Sequence, residues 1–498
     1  MVADVQLGVG DGEAAPSPAR PPALASGISF EQMAIGLLFV TFAVAAAFTP
    51  AQNDTFWHLR AGADIWRSGQ VPRIDSYSHT MAGAAWPDHE WLSQALMYAA
   101  YRLGGMRGLE VGAAALILAM VATMNRLMVG SGLTRFVLLA LGLTFSSYLW
   151  SLRPQILSLL LLVVLVWLLA RDWVFLIPPL FLIWANAHGG VALGGAVLIA
   201  ATATAIWRGL RVRAAADRRR AIAFAVVLPL SGLATALTPL GFGIFGFVIA
   251  STGRSYDAKI IEWYALRPDT ALGATFWAVT LAFVMLVIRR RRALAAGSWA
   301  DGVVVVAALA LLPFAARSLR NIGPFLILAT PAVGRLLGPQ FRFRPKRHPR
   351  PPSADHPRVN LALLAVACLG AIVMVPLRWQ TASGQLHWHP IDDEALRAVR
   401  GCDGPLYNQY NEGGTLIWFA PEKPVFIDGR QDPYPPAFLQ QALAIERGAP
   451  YRAMFDRYRI GCAFLPAASK MSLRLRADGW RPRFLDGEWA VLAAPGAG

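Results

Sequence analysis

Charged side chains are scarce in this sequence: Asp, Glu, Lys and Arg make up 15% of its 498 residues, against 56% hydrophobic. Ordinary soluble domains carry about 25% charged residues, so the composition excludes that class and indicates a polytopic membrane protein. Cysteine is nearly absent, and three residues cannot build a disulfide framework. Cys368 lies in an apolar run as a small packing residue, whereas Cys402 and Cys462 fall in a hydrophilic C-terminal part and could pair if that part lies outside the cytoplasm. Met1 to Glu31 is rich in Pro, Ala and Gly, with no basic segment before the first long apolar run, so no cleavable signal peptide is expected. Residues 1–31 read as a disordered cytoplasmic tail. No P-loop, dinucleotide glycine pattern, zinc-ligand spacing or Ser-His-Asp signal stands out.

The net charge of +16 raises the question of nucleic acid, but the arginines fall in short clusters between apolar runs, which is the pattern of cytoplasmic loops. About eleven runs have spanning length, at 33–49, 108–128, 133–151, 154–170, 173–187, 191–207, 221–238, 271–288, 302–316, 322–338 and 360–377. With eleven spans, three basic clusters fall on one face: Arg208, Arg211, Arg213 and Arg218 to Arg220; Arg289 to Arg292; and Arg342, Arg344, Lys346, Arg347 and Arg350. That face is then the cytoplasm, with the N-terminus inside and the C-terminal part outside. The expected organisation is a membrane domain over 32–378 and an extracytoplasmic α/β domain over 379–498.

The outward loop 50–107 carries two helical patterns. Thr55 to Ser68 places Phe56, Leu59, Ala63 and Trp66 on one side, as an amphipathic helix in the interface does. A second helix starts near Asp88 and ends at Gly104-Gly105. Beyond residue 379 the apolar runs shorten to strand length, as in Thr415 to Phe419 and Pro424 to Ile427, between helical patterns at Asp392–Val399 and Pro436–Arg447.

Acids and histidines beside a membrane face are costly unless paired or wetted, which makes the stretch around Asp54, His58, Asp88, His89 and Glu90 the first functional candidate. A carboxylate at Asp54, Asp88 or Glu90 could take a proton from an acceptor hydroxyl or amine, while Asp54 could equally cap the helix it opens. His58, four residues on, could share a proton or a metal ion with Asp54, or merely orient the loop. Arg153, Arg317 and Arg320 lie at outward helix ends, where guanidinium forks suit either a donor phosphate or lipid headgroups. His188, between Asn186 and two glycines, could meet substrate or hold a turn. Glu262-Trp263 sits in the outward loop 239–270, which could close over a sugar, and Asp428-Gly-Arg430 reads as a turn or domain-packing element.

The string Asp54-Thr-Phe-Trp-His58-Leu-Arg-Ala-Gly62, followed by Gly69-Gln-Val-Pro72-Arg-Ile-Asp75-Ser-Tyr-Ser78 and Trp86-Pro-Asp-His-Glu-Trp91, resembles an uncharacterised bacterial branch of the GT-C superfamily of membrane glycosyltransferases. That superfamily includes protein O-mannosyltransferases, aminoarabinose transferases and oligosaccharyltransferases. The likeness extends to Arg153-Pro-Gln155, Trp184-Ala-Asn186-Ala-His188-Gly-Gly190, Glu262-Trp263, Arg320-Asn321 and Phe426-Ile-Asp428-Gly-Arg430. It implies a polyprenyl-phosphate sugar donor, an outward-facing site and Asp54 as the acceptor-activating base; His89, Arg153, Gln155, Asn186, His188, Glu262, Arg317 and Arg320 are the expected substrate-binding residues. Mannosyltransferases of the superfamily carry an adjacent acidic pair in this loop, whereas Asn53 precedes Asp54 here, so the second carboxylate and any divalent metal ion stay open.

The expected function is transfer of a sugar to a saccharide, lipid or protein acceptor at the outer face of a bacterial inner membrane. Membrane lipids are the other expected partner, and nucleic acid is not one. The competing classes are a transporter or flippase of lipid-linked saccharides, against which stands the lack of an inverted repeat, and a non-catalytic subunit of an envelope polysaccharide system.

Overall fold

A computed structural model describes residues 27–147, 150–212, 214–257, 261–338 and 355–495. Residues 1–26 of the expected tail, Arg213 and the basic cluster from Arg342 to Arg350 lie outside the described residues. The chain opens with α1 (Phe30–Ala46), α2 (Asn53–Ser68), α3 (Trp91–Leu127), α4 (Gly132–Ser147), α5 (Gln155–Ala170), α6 (Ile177–Ala187) and α7 (Val191–Arg211). It continues through α8 (Ala215–Thr235), α9 (Gly243–Asp257), α10 (Ala271–Ala296), α11 (Trp299–Arg317), α12 (Ile322–Leu337) and α13 (Pro357–Thr381). Each of the eleven apolar runs contains a helix. Among the described residues, α3, α7, α10, α11 and α13 are long and apolar enough to cross a membrane, while α1, α4, α5 and the stretch Val174–Ala187 are apolar but shorter. On α13, Leu363, Val366 and Leu369 are more than half exposed, as expected of a helix whose outer surface meets hydrocarbon rather than water.

The two helices of the loop 50–107 form where the apolar spacing puts them. The second stops at Gly104-Gly105 as expected: the backbone leaves helical geometry there, with Gly105 at a φ of 60° that glycine adopts readily, and a further helix follows directly, so that α3 is two helices joined at a kink. α2 belongs to two cores. Its Phe56 and Leu59 pack into the bundle with α1 and α3, while Trp57 and Ala61 pack with Tyr77, Trp86, Leu416 and Ile417.

The C-terminal part adds α14 (Asp393–Arg400), β1 (Leu406–Asn408), α15 (Gly413–Phe419), α16 (Pro436–Glu446), α17 (Arg452–Tyr458), β2 (Cys462–Pro466), α18 (Lys470–Ala477), β3 (Arg481–Leu485) and β4 (Trp489–Ala493). The sheet order is β1-β2-β4-β3, with β1 parallel to β2 and the other pairs antiparallel. Two expected strands are not strands. Thr415 to Phe419 lies in helix α15, because its β-branched and aromatic residues find their burial against α2, where Phe419 meets Phe56 at 5.1 Å between ring centres. Pro424 to Ile427 runs extended along the outward loop instead of joining the sheet: Val425 N–H donates to the Tyr77 carbonyl and its own carbonyl accepts from His79 N–H. The loop 239–270 contains α9.

Cys402 and Cys462 form a disulfide with 5.8 Å between Cα atoms, tying the end of α14 to β2 across a separation of 60 residues. Closing a loop of that length stabilises the folded state by about 4 kcal/mol on the chain-entropy view. Alkylation of the denatured, unreduced protein should therefore modify Cys368 alone, and reduction should lower the unfolding midpoint. Modification of all three cysteines would show that the pair does not form.

Candidate active site

The first turn of α2 presents Asp54 to a cavity of about 1660 Å³ between the bundle and the C-terminal part. The Gln52 N–H is taken by the Thr55 hydroxyl at 3.0 Å, and Asp54 is already inside the helix, so it is not the cap that its position suggested. Its carboxylate accepts from two side chains instead: Trp57 Nε1 donates to Oδ1 at 3.1 Å and Arg153 Nη1 to Oδ2 at 2.8 Å. The rest of the Arg153 fork is also engaged, Nε with Ser151 Oγ at 2.9 Å and Nη2 with Gln155 Oε1 at 3.4 Å. Arg153 and Gln155 thus orient Asp54, and the guanidinium expected on a donor phosphate is committed to a carboxylate.

Glu90 is the second focus. His58 Nε2 lies 3.6 Å from Oε2, while His89 Nε2 at 3.6 Å and His188 Nε2 at 3.5 Å approach Oε1. These spacings exceed direct hydrogen bonds. His58 does not share a proton with Asp54 as expected: it turns to Glu90, and its Nδ1 is buried without a hydrogen-bond partner. His188 Nδ1 accepts the Gly190 N–H at 2.9 Å, which leaves the ring proton on Nε2, toward Glu90. Burial, helped by Arg153 and Arg320 respectively, holds His58 and His188 well below the usual imidazole range. Burial likewise pushes the Glu90 carboxyl up to about 8, against the opposing pull of Arg320. His58, His188 and Glu90 are therefore neutral near pH 7. Among the described residues no group of three or more His, Cys, Asp and Glu side chains is arranged to hold a metal ion, and no step below passes through one.

Two expected site residues face away from the cavity. Asp88 is buried behind it, accepting from the Glu90 N–H and from Gln94 Nε2, and burial pushes its carboxyl up to about 7. Asn186 is a bracket: it accepts Trp91 Nε1 at 2.7 Å and donates to the Leu182 and Leu237 carbonyls. On the other wall, Glu262 pairs with Arg320 at 3.3 Å, and Arg320 also lies 5.2 Å over the Trp263 ring. The Ser318 hydroxyl donates to the Glu262 carbonyl, which ties this segment to the turn after α11 where Arg317 also lines the cavity.

The sequence reading missed the C-terminal wall. Tyr410, Gly429, Asp432 and Glu446 all line the cavity. Behind them Arg430, with a side chain that has no exposure, reaches Asp75 at 2.8 Å and Asp428 at 2.7 Å and stacks 4.6 Å from Trp86 and 4.9 Å from Tyr77. Tyr434 OH donates to Asp428 at 2.7 Å. A turn motif gives no hint of this, since the partner acid Asp75 belongs to the first outward loop; the charged pair inside an apolar string, Phe426-Ile-Asp428-Gly-Arg430, was the available signal.

No protein-family model and no curated protein sequence matches the chain. Solved structures do. ArnT from Cupriavidus metallidurans, crystallised with undecaprenyl phosphate, matches with a TM-score of 0.50 at 13% identity over 94% of this chain and 98% of that one. The archaeal oligosaccharyltransferase AglB from Archaeoglobus fulgidus, in complex with an inhibitory peptide and a dolichol-phosphate, matches with a TM-score of 0.54 at 10% identity over 93% of this chain and 74% of that one. The same archaeal enzyme tethered to an acceptor peptide gives 0.52 at 11% identity, over 93% and 75%. The chain thus shares the fold of these structures.

The Glu90 environment makes a pH prediction. With a folded-state pKa of about 8 against 4.5, the folded protein keeps a proton that the unfolded chain releases between those values. The contribution to stability is full below 4.5 and falls away toward 8, at up to about 1.4 kcal/mol per pH unit. Glu90→Gln, with nothing to titrate, should lose stability less steeply across that window when unfolding midpoints are compared in detergent. Parallel slopes would show that Glu90 is ionised at neutral pH.

Proposed function

We propose that the protein is an inverting glycosyltransferase of about eleven spans, which moves a sugar from a polyprenyl-phosphate donor to an acceptor at the outer face of the inner membrane. The observation that carries this reading is the placement of a carboxylate, Asp54, fixed on both oxygens by Arg153 and Trp57, on a cavity that Arg317 and Arg320 also line. The acceptor oxygen or nitrogen attacks the anomeric carbon as Asp54 removes its proton. The bond from that carbon to the phosphate oxygen breaks, and the lipid phosphate leaves with the electron pair. Arg320 and Arg317 stabilise the charge that gathers on the phosphate, and the neutral Glu90 cluster adds no negative charge to oppose it.

The lipid-phosphate donor is supported by the ligands of the two fold relatives, undecaprenyl phosphate and dolichol-phosphate. The orientation, with the small α/β domain over 379–498 outside the cytoplasm, is supported by the basic cluster on α7 and α8 and by the Cys402–Cys462 disulfide, which belongs in an oxidising compartment. An amphipathic α2 packed under an outer domain suits interfacial transfer, and nothing in the helix order favours alternating access.

Native mass spectrometry of the purified protein should find a co-purifying polyprenyl-phosphate lipid. Arg320→Ala should weaken undecaprenyl phosphate binding by roughly tenfold or more, the loss of a charge-assisted contact. Arg153→Ala should leave binding near parental while transfer falls. If Arg153→Ala is the variant that releases the lipid, the phosphate sits against Arg153 and the division of roles is wrong.

A further inference from the structure

Asp54 is held on a third side by a residue with no side chain. Residues 428–432 cross the cavity wall so that Gly429 faces the carboxylate, and a Cβ built on Gly429 would come closer to Asp54 Oδ1 than the 3.0 Å that Cβ atoms essentially never breach, with Asp54 Cγ next at 3.3 Å and Trp57 Nε1 at 3.7 Å. The backbone there does not itself call for glycine, because Gly429 is not among the residues with positive φ. The requirement is one of space alone, and the space is needed by Asp54.

Two other glycines of the same wall behave differently. A Cβ on Gly413 would strike the Ile427 carbonyl and one on Gly414 the Asn53 carbonyl, both of them backbone that cannot turn aside. At Gly429 the obstacle is the end of a side chain, which can rotate away, so an added methyl group would be accommodated by turning the carboxylate off Arg153 and Trp57. The glycine backbone cannot retreat in its place. Asp428 and Arg430 on either side are locked in the buried ion-pair network, the Gly429 carbonyl accepts Tyr410 OH at 3.2 Å, and Gln431 is held at a φ of 62°. Left-handed backbone at a non-glycine residue persists only where its surroundings fix it.

We infer that Gly429 is a positioning residue: its bare Cα sets the rotamer of Asp54, so that the C-terminal part completes the active site on which the first outward loop places the base. This rests on the reading of Asp54 as the acceptor-activating base. A misplacement of about 1 Å at a reacting group can cost on the order of 10²-fold in rate.

The test uses the full-length protein in proteoliposomes. Tritium-labelled polyprenyl-phosphate sugars extracted from host membranes, with a total envelope extract as acceptor, report transfer, and undecaprenyl phosphate is the binding probe. Gly429→Ala should lower kcat by roughly 10–100-fold with lipid-phosphate binding unchanged, and in an Asp54→Asn background it should cause no further loss. Parental kcat in Gly429→Ala overturns the inference, as does an equal loss in the Asp54→Asn background, which would mean that the glycine acts on the fold. If Asp54→Asn alone transfers at the parental rate, the base assignment fails and takes the inference with it. Should Gly429→Ala lower the unfolding midpoint, the Asp54→Ala/Gly429→Ala double variant, which has room for the methyl group, should restore it, and failure to do so also overturns the inference.

Discussion

The buried guanidinium of Arg430 is the interaction on which the site depends. A charge taken wholly out of water costs several kcal/mol unless paired and hydrogen-bonded, and Arg430 meets that cost with two carboxylates from distant parts of the chain, Asp75 of the first outward loop and Asp428 beside it. The flat faces of Trp86 and Tyr77 complete the enclosure. Removing the arginine would leave two acids uncompensated in the interior, a loss of about 3–5 kcal/mol. The geometry of the outward loop is thereby made conditional on the C-terminal part being seated. Since α2 lies between them, sharing one core with the bundle and another with residues 416–427, the same contact decides where Asp54 points.

Within the cavity, the two carboxylates have different surroundings. Asp54 has a guanidinium and an indole N–H on its oxygens. Glu90 has imidazoles that burial keeps neutral, and it holds its proton to about pH 8. In the proposed transfer the two take unlike roles: Asp54 receives the acceptor's proton, and the protonated Glu90 lines the site without repelling a phosphate. This also explains how His58 and His188 can sit near two arginines, because uncharged imidazoles do not oppose them.

Much of the fold was legible in the sequence because hydrophobic runs of spanning length have few alternatives, and each of them contains a helix. The string from Asp54 to His58 was legible for a related reason, since polar residues beside a membrane face call for an explanation. What escaped was decided by contacts between distant segments. Thr415 to Phe419 has strand-like composition, yet its burial against Phe56 makes a helix the better way to hide the same side chains. Asp428-Gly-Arg430 reads locally as a turn, and only the fold brings Asp75 to it. Arg153 sits at a helix end, as a phosphate ligand should, and nothing in its neighbourhood along the chain says that a carboxylate from α2 has already claimed it.

The measurement that bears most directly on this account is single-turnover transfer by Asp54→Asn in proteoliposomes loaded with labelled polyprenyl-phosphate sugar. Asparagine keeps the size of the side chain and removes the basic oxygen, so the rate should fall by roughly 10²–10⁴-fold, the usual worth of a general base, while undecaprenyl phosphate binding and the unfolding midpoint stay close to parental. Transfer at the parental rate with the lipid bound would contradict the account, for it would leave Arg153, Trp57 and Gly429 gathered around a group that does no chemistry.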